Sequence, residues 1–142
     1  MPSNIKSVSV SIFKNNSSIV SAEMIFTNAL IKELMRSSNV KVITDNKMAD
    51  AVIYGTITSI SFDALARTSD DVVYKRGINA MLNIEMKSRT GDIIFSVNKF
   101  TESQSYDVTH HNSIDETVIK STLERVAYRL ARRVVSQMID NF

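Results

Sequence analysis

Side chains able to do chemistry are few in this sequence, and their spacing decides what they can do. His110 and His111 are adjacent, so on a helix or a strand their rings diverge, and no carboxylate stands at a spacing that would complete a zinc set with them. Solvated loop rings are the plainer reading. Asp70 and Asp71 form a carboxylate pair, but general acid–base work needs a pocket that shifts a pKa, and their polar surroundings read as a solvated turn. The many serines stand in no Gly-x-Ser-x-Gly elbow, and there is no glycine-rich phosphate loop or dinucleotide fingerprint. Without cysteine there is no thiolate nucleophile, thiolate metal site or disulfide. No catalytic residue, metal site or cofactor is expected, and the chain reads as no enzyme.

Cations give the remaining chemistry. Arg125, Arg129, Arg132 and Arg133 fall along one side of the last helical stretch, opposite Leu123, Leu130 and Val134. A solvated face near a helix C-terminus explains them, and so does an anion site. Arg67, Lys75 and Arg76 make a second, looser group in and after a polar segment in mid-chain. With 17 basic and 15 acidic residues the net charge is only +2, too balanced to argue for a nucleic-acid partner.

At 142 residues and 44% hydrophobic content, without repeats or composition breaks, residues 1–142 fit one domain around one core. Pro2 is the single proline, and Gly55, Gly77 and Gly91 are the only glycines, which argues for long regular elements. No apolar run approaches the roughly 18 residues of a membrane span, and Met-Pro-Ser-Asn lacks the regions of a signal peptide. Any export or lipid signal is expected upstream of Met1.

The stretch Ala49–Phe62 reads as a central strand. Ile53, Gly55 and Ile57 share one parity, so its apolar face is narrow at Gly55, where something must pack close. Beyond Ser59 the apolar parity moves to Ile60 and Phe62, which predicts a bulge near Thr58–Ser59. Earlier, residues 5–14 alternate as a strand with Val8, Val10 and Ile12 inward and Ser7, Ser9 and Ser11 outward. A helix follows over about Ala22–Arg36, capped by Ser18 or Ser21, with Ala22, Phe26, Ala29, Leu30 and Leu34 on its buried stripe. A second apolar row, Met24, Ile31 and Met35, widens the apolar surface; packing against another helix is the favoured reading of it and a partner surface the other.

Val40–Thr44 reads as a short strand forming a hairpin with the central one, and Asp63–Asp71 as an exposed loop. Residues 72–86 give the clearest alternation, and Gly91 turns the chain into Ile93, Phe95 and Val97 as an antiparallel hairpin. After the polar segment 102–112, a Ser113–Glu116 capping box opens a helix of roughly 30 residues, long enough at about 45 Å to cross the sheet. Together these predict an α+β two-layer sandwich: two helices packed on one face of a mixed, mostly antiparallel sheet of four or five strands. The core is expected at Val8, Val10, Ile12, Phe26, Leu30, Leu34, Ile53, Ile57, Leu82, Ile84, Leu123, Leu130 and Val134. The other face carries Ser7, Ser9, Ser11, Thr56, Thr58, Asn79, Asn83 and Ser96, open to water or to a partner.

Taken in order, several stretches resemble the LptE-type lipoproteins of lipopolysaccharide assembly. They are Ile5–Val10 leading to Phe13–Asn16, then Phe26–Leu30, Ala49–Ile57, Arg89–Phe95 and the closing Ile139–Phe142. The resemblance implies a non-catalytic domain held to the periplasmic side of the outer membrane by a lipidated N-terminal cysteine, which this chain lacks. It also implies that the domain sits inside a partner β-barrel, LptD, and aids delivery of lipopolysaccharide to the cell surface. Family lipid contacts are basic side chains, which points to Arg67, Lys75 and Arg76 for the lipid phosphates, with Arg125, Arg129, Arg132 and Arg133 as the alternative surface. Another periplasmic envelope adaptor, such as a penicillin-binding-protein activator or a curli-secretion-like lipoprotein, would share the opening strand and helix. A small-molecule or hydrolytic domain would need a deep pocket with converging polar groups.

Overall fold

The computed structural model describes residues 4–108 and 116–141. Its strands are β1 (Ser7–Val10), β2 (Lys14–Asn15), β3 (Lys41–Val42), β4 (Ala51–Arg67), β5 (Val73–Ser88) and β6 (Ile93–Asp107), with helices α1 (Ala22–Ser37) and α2 (Glu116–Asp140). One open sheet runs β3-β1-β4-β5-β6, and β2 pairs separately with β4. β1 is parallel to both β3 and β4, while β4, β5 and β6 form an antiparallel meander, so the sheet is mixed. Both helices cover one face, α1 towards β1, β2 and β3 and α2 over β6 and β5. α2 therefore covers one half of the sheet instead of crossing all of it.

The alternation in residues 5–14 is one strand broken in the middle. β1 pairs with Ala51–Ile53 of β4 and β2 resumes on Thr56–Ile57, and between them the chain turns Ile12 out to 64% exposure and Phe13 into the core. Ile12 is thus not a core residue. Gly55 explains the switch: a Cβ there would stand 2.6 Å from the Phe13 ring, so the ring occupies the space that the missing side chain leaves. The Phe13 N–H, which has no strand partner, donates to Thr27 Oγ1 at 3.0 Å, and that hydroxyl donates to the Glu23 carbonyl. A buried backbone donor is satisfied by a helix side chain.

The expected hairpin between Val40–Thr44 and the central strand does not form. β1 lies between β3 and β4, and α1 makes the crossover that parallel β1 and β3 require. Ser9, expected to be exposed, is buried beneath the following turn and bonds Asn46. Asp50 joins these pieces, accepting the Lys6 N–H at 2.8 Å and the Ser7 N–H at 3.1 Å, with Arg89 3.6 Å away.

β4 does not stop at Phe62. It bulges between Ile57 and Ser59, as the parity change requires, and then continues paired with β5 to Arg67, so the supposed loop 63–71 shrinks to a turn after Arg67. β6 likewise continues through its polar residues to Asp107. At the other end of the meander, Gly91 sits at φ 89° in the tight turn joining β5 to β6, a conformation that suits glycine.

α1 ends one residue past the expected Arg36. Ser21 precedes it with φ 70° and no side-chain cap, and Asn15 instead ties the entry by donating to the Ile19 carbonyl and to Glu23. Its stripe packs as expected, with Ala22, Phe26, Leu30 and Leu34 buried, but Met24 and Met35 are 43% and 66% exposed. Of the Met24–Ile31–Met35 row, Met24 stands beside Ile25 and Ala29 on the side of α1 that faces α2, and Met35 is exposed. α2 has 25 residues, about 37 Å at the usual rise; Ser113 of the expected capping box lies outside the described residues. Apart from Ile12 and the half-buried Val10, every expected core residue is buried.

Candidate functional site

The basic group Arg67, Lys75 and Arg76 lies where β4, β5 and β6 run on together as a ribbon, through the cross-strand pairs Ala66–Lys75 and Ala64–Arg76 on one side of β5 and Lys75–Asp107 and Arg76–Tyr106 on the other. It is on paired strands, not on a loop. Lys75 and Arg76 are consecutive strand residues and point to opposite faces, so the three cations surround the ribbon without converging on one point. Arg67 is half exposed and stands 3.5 Å from Asp71 at the turn. Arg76 lies across from Tyr106 of β6. Burial pushes the Tyr106 phenol up, and the Arg76 charge partly offsets that.

The arginines of α2 divide into two sets. Arg133 reaches down to β6, donating to the Thr101 carbonyl at 2.6 Å and to Glu102 at 2.9 Å, with its guanidinium 4.2 Å from the Phe100 ring centre. Arg129 donates to Gln104 at 3.2 Å and lies 3.9 Å from the same Glu102 carboxylate. These two fasten the helix to the strand. Among the described residues, Arg125 bonds Thr122 of its own helix, at 3.4 Å, and Arg132 lies over Tyr128 at 5.7 Å; both side chains are exposed, and the outward-facing charge is theirs.

Between α1 and α2 runs an open groove of about 1140 Å³. Its floor is Ile25, Ala29, Ile119 and Leu123, and Glu33 closes one end. Glu33 is 5% exposed and bonds Arg36 at 2.7 Å and Ser37 at 2.7 Å. Burial acts to raise its pKa, but those bonds and the charges of Arg36 and Arg132 outweigh it and hold the carboxyl below its ordinary value. Glu33 remains a charged anchor. Apolar residues spaced along one helix flank gave no sequence signal for a groove, because the same pattern describes a filled helix contact.

Among the described residues, no group of three or more His, Asp or Glu side chains is placed to hold a metal, and neither helix is long and apolar enough to cross a membrane. His110 and His111 lie outside the described residues. Asp70 and Asp71 are exposed at the β4–β5 turn, where Asp71 adopts φ 63°.

Two helices laid on one face of an open mixed sheet, with cations outside and an apolar layer between, define an α+β sandwich of the kind found in several solved bacterial lipoproteins. The model of the LptE family, lipopolysaccharide-assembly, matches residues 5–142, and the chain belongs to that family. The rare lipoprotein B of Shewanella oneidensis has the same fold at 14% identity and TM-score 0.58, over 94% of each chain. The hypothetical protein CT253 of Chlamydia trachomatis superposes with TM-score 0.62 at 11% identity, over 94% of this chain and 95% of its own. The PelC dodecamer of Paraburkholderia phytofirmans is similar at 15% identity and TM-score 0.56, over 94% of this chain and 88% of its own. No curated protein matches by sequence.

Proposed function

We propose that residues 1–142 act as a single non-catalytic unit of lipopolysaccharide assembly, seated inside an LptD-type β-barrel and aiding delivery of lipopolysaccharide to the cell surface. In the full-length protein it works on the periplasmic side of the outer membrane, tethered by an N-terminal lipid. The observation that carries this reading is the family match over residues 5–142, supported by a fold shared with envelope lipoproteins. The lipid phosphates meet Arg67, Lys75 and Arg76, since guanidinium and ammonium groups pair with phosphate oxygens. The exposed α2 face at Arg125 and Arg132 meets the barrel wall, while Arg129 and Arg133 serve the fold.

Co-expression of the tagged chain with an LptD-type barrel tests this. A barrel that copurifies in equal amount supports the reading, and a barrel that elutes alone overturns it. The PelC likeness favours a second reading, an envelope lipoprotein that assembles with copies of itself. A large homo-oligomer in place of the barrel complex would support that one.

A further inference from the structure

The groove between α1 and α2 has rims of opposite sign. On the α1 rim the exposed residues Asn28, Lys32 and Arg36 follow one another at four-residue spacing. On the α2 rim the same spacing presents Glu116, Lys120 and Glu124. Arg36 is already neutralised by Glu33, which leaves Lys32 as the uncompensated cation of one rim and a net negative charge on the other. Lys32, Glu116, Lys120 and Glu124 form no ion pair with another described residue. Beside the apolar floor, Met24 adds a flexible, 43% exposed side chain to the entrance, with Val20 89% exposed next to it.

A hydrocarbon chain would use the floor but neither rim, and an anionic headgroup would be attracted by one rim and repelled by the other. An amphipathic helix uses all three surfaces: its apolar stripe covers the floor, its acidic flank faces Lys32 and its basic flank faces Glu116 and Glu124. We propose that this groove is a docking site for an amphipathic helical segment of a partner protein, with an apolar stripe flanked by acidic residues on one side and basic residues on the other. The α1 side, from Ser21 to Arg36, extends about 22 Å at the usual helical rise, which suits a segment of about four turns. Docked there, it would add a third helix to the helix layer.

The test uses three synthetic helical peptides of that length sharing one leucine stripe: one with Glu on one flank and Lys on the other, one with Lys on both, and one with Glu on both. Titrated against the full chain by fluorescence anisotropy, the two-signed peptide binds at least about tenfold tighter than either single-signed peptide. Lys32→Glu makes both rims acidic; because Lys32 is exposed, the variant keeps its thermal melt, and the preference moves to the all-Lys peptide. Equal affinities, no binding of the two-signed peptide, or an unchanged preference in Lys32→Glu would overturn the proposal. So would saturable binding of cis-parinaric acid that Ala29→Trp abolishes while no peptide binds, which would make the groove a lipid site. A dimer in sedimentation that buries the groove would overturn it too, assigning the face to a second copy.

Discussion

At the scale of single residues, the fold depends on a few contacts whose loss has a calculable direction. Gly55 leaves the space that the Phe13 ring fills, and Phe13 is itself buried at 3% exposure, so the ring has little room to retreat. Gly55→Val should destabilise the protein by about 1–3 kcal/mol, the usual cost of overpacking, measured by urea unfolding. An unchanged midpoint would show that Phe13 is not held as described. Asp50 supplies a pH dependence. Backbone N–H donation from Lys6 and Ser7, followed by the charge of Arg89, holds its carboxyl below the ordinary value despite some opposing desolvation. A carboxylate with a depressed folded-state pKa contributes stability that is present above its unfolded pKa and lost as pH falls through the folded one. Asp50→Asn should therefore be less stable than the parent near neutral pH, and the difference should close as the pH falls below the ordinary aspartate range. Parallel stability curves down to acid pH would contradict the assignment.

Elements are where the sequence is most and least legible. Helix α1, the β5–β6 hairpin and the bulge after Ile57 can all be read directly, because each leaves a local periodicity: a stripe, a glycine turn, a parity change. What cannot be read is non-local. The parallel β1–β3 and β1–β4 pairing has no sequence signature between Val40 and Ala49, and proximity in the chain wrongly suggests a hairpin there. The outer lengths of β4 and β6 read as loops because side-chain pattern is all that a sequence displays, whereas these polar stretches are held by backbone ladders to β5. The basic clusters are visible as charges. Their division into Arg129 and Arg133 bound to Glu102 and Arg125 and Arg132 facing outward is not, because Glu102 comes from a strand far away in sequence.

Two measurements belong to this scale. Thr27→Val keeps the side-chain shape but strands the buried Phe13 N–H between β1 and β2, and should cost about 1–3 kcal/mol in chemical denaturation; a neutral result would mean that this donor finds another partner. Leu130 is 2% exposed on the face of α2 that packs into the core, and its replacement by Ala should cost about 2–5 kcal/mol. An unaltered melting temperature would place it outside the core.

For the whole molecule, the two-layer build separates possible duties. Helices cover one sheet face, the opposite face presents polar residues such as Thr58 and Asn83, and the β4–β5 ribbon carries Arg67, Lys75 and Arg76. If this ribbon meets lipid phosphates, lipopolysaccharide binding weakens with added salt, because exposed charges are screened over about 8–10 Å near physiological ionic strength. It weakens further when Arg67, Lys75 and Arg76 are neutralised together. Binding lost only on neutralising Arg125 and Arg132 would move the site to α2. The central claim, residence inside an LptD-type barrel, is tested most directly by a photo-crosslinking amino acid placed at Arg125 or Arg132 in cells that make both proteins. The expected result is an adduct with the mass of this chain plus the barrel at these outward-facing α2 positions. Adducts only with further copies of this chain, or none with the barrel from either position, would contradict it.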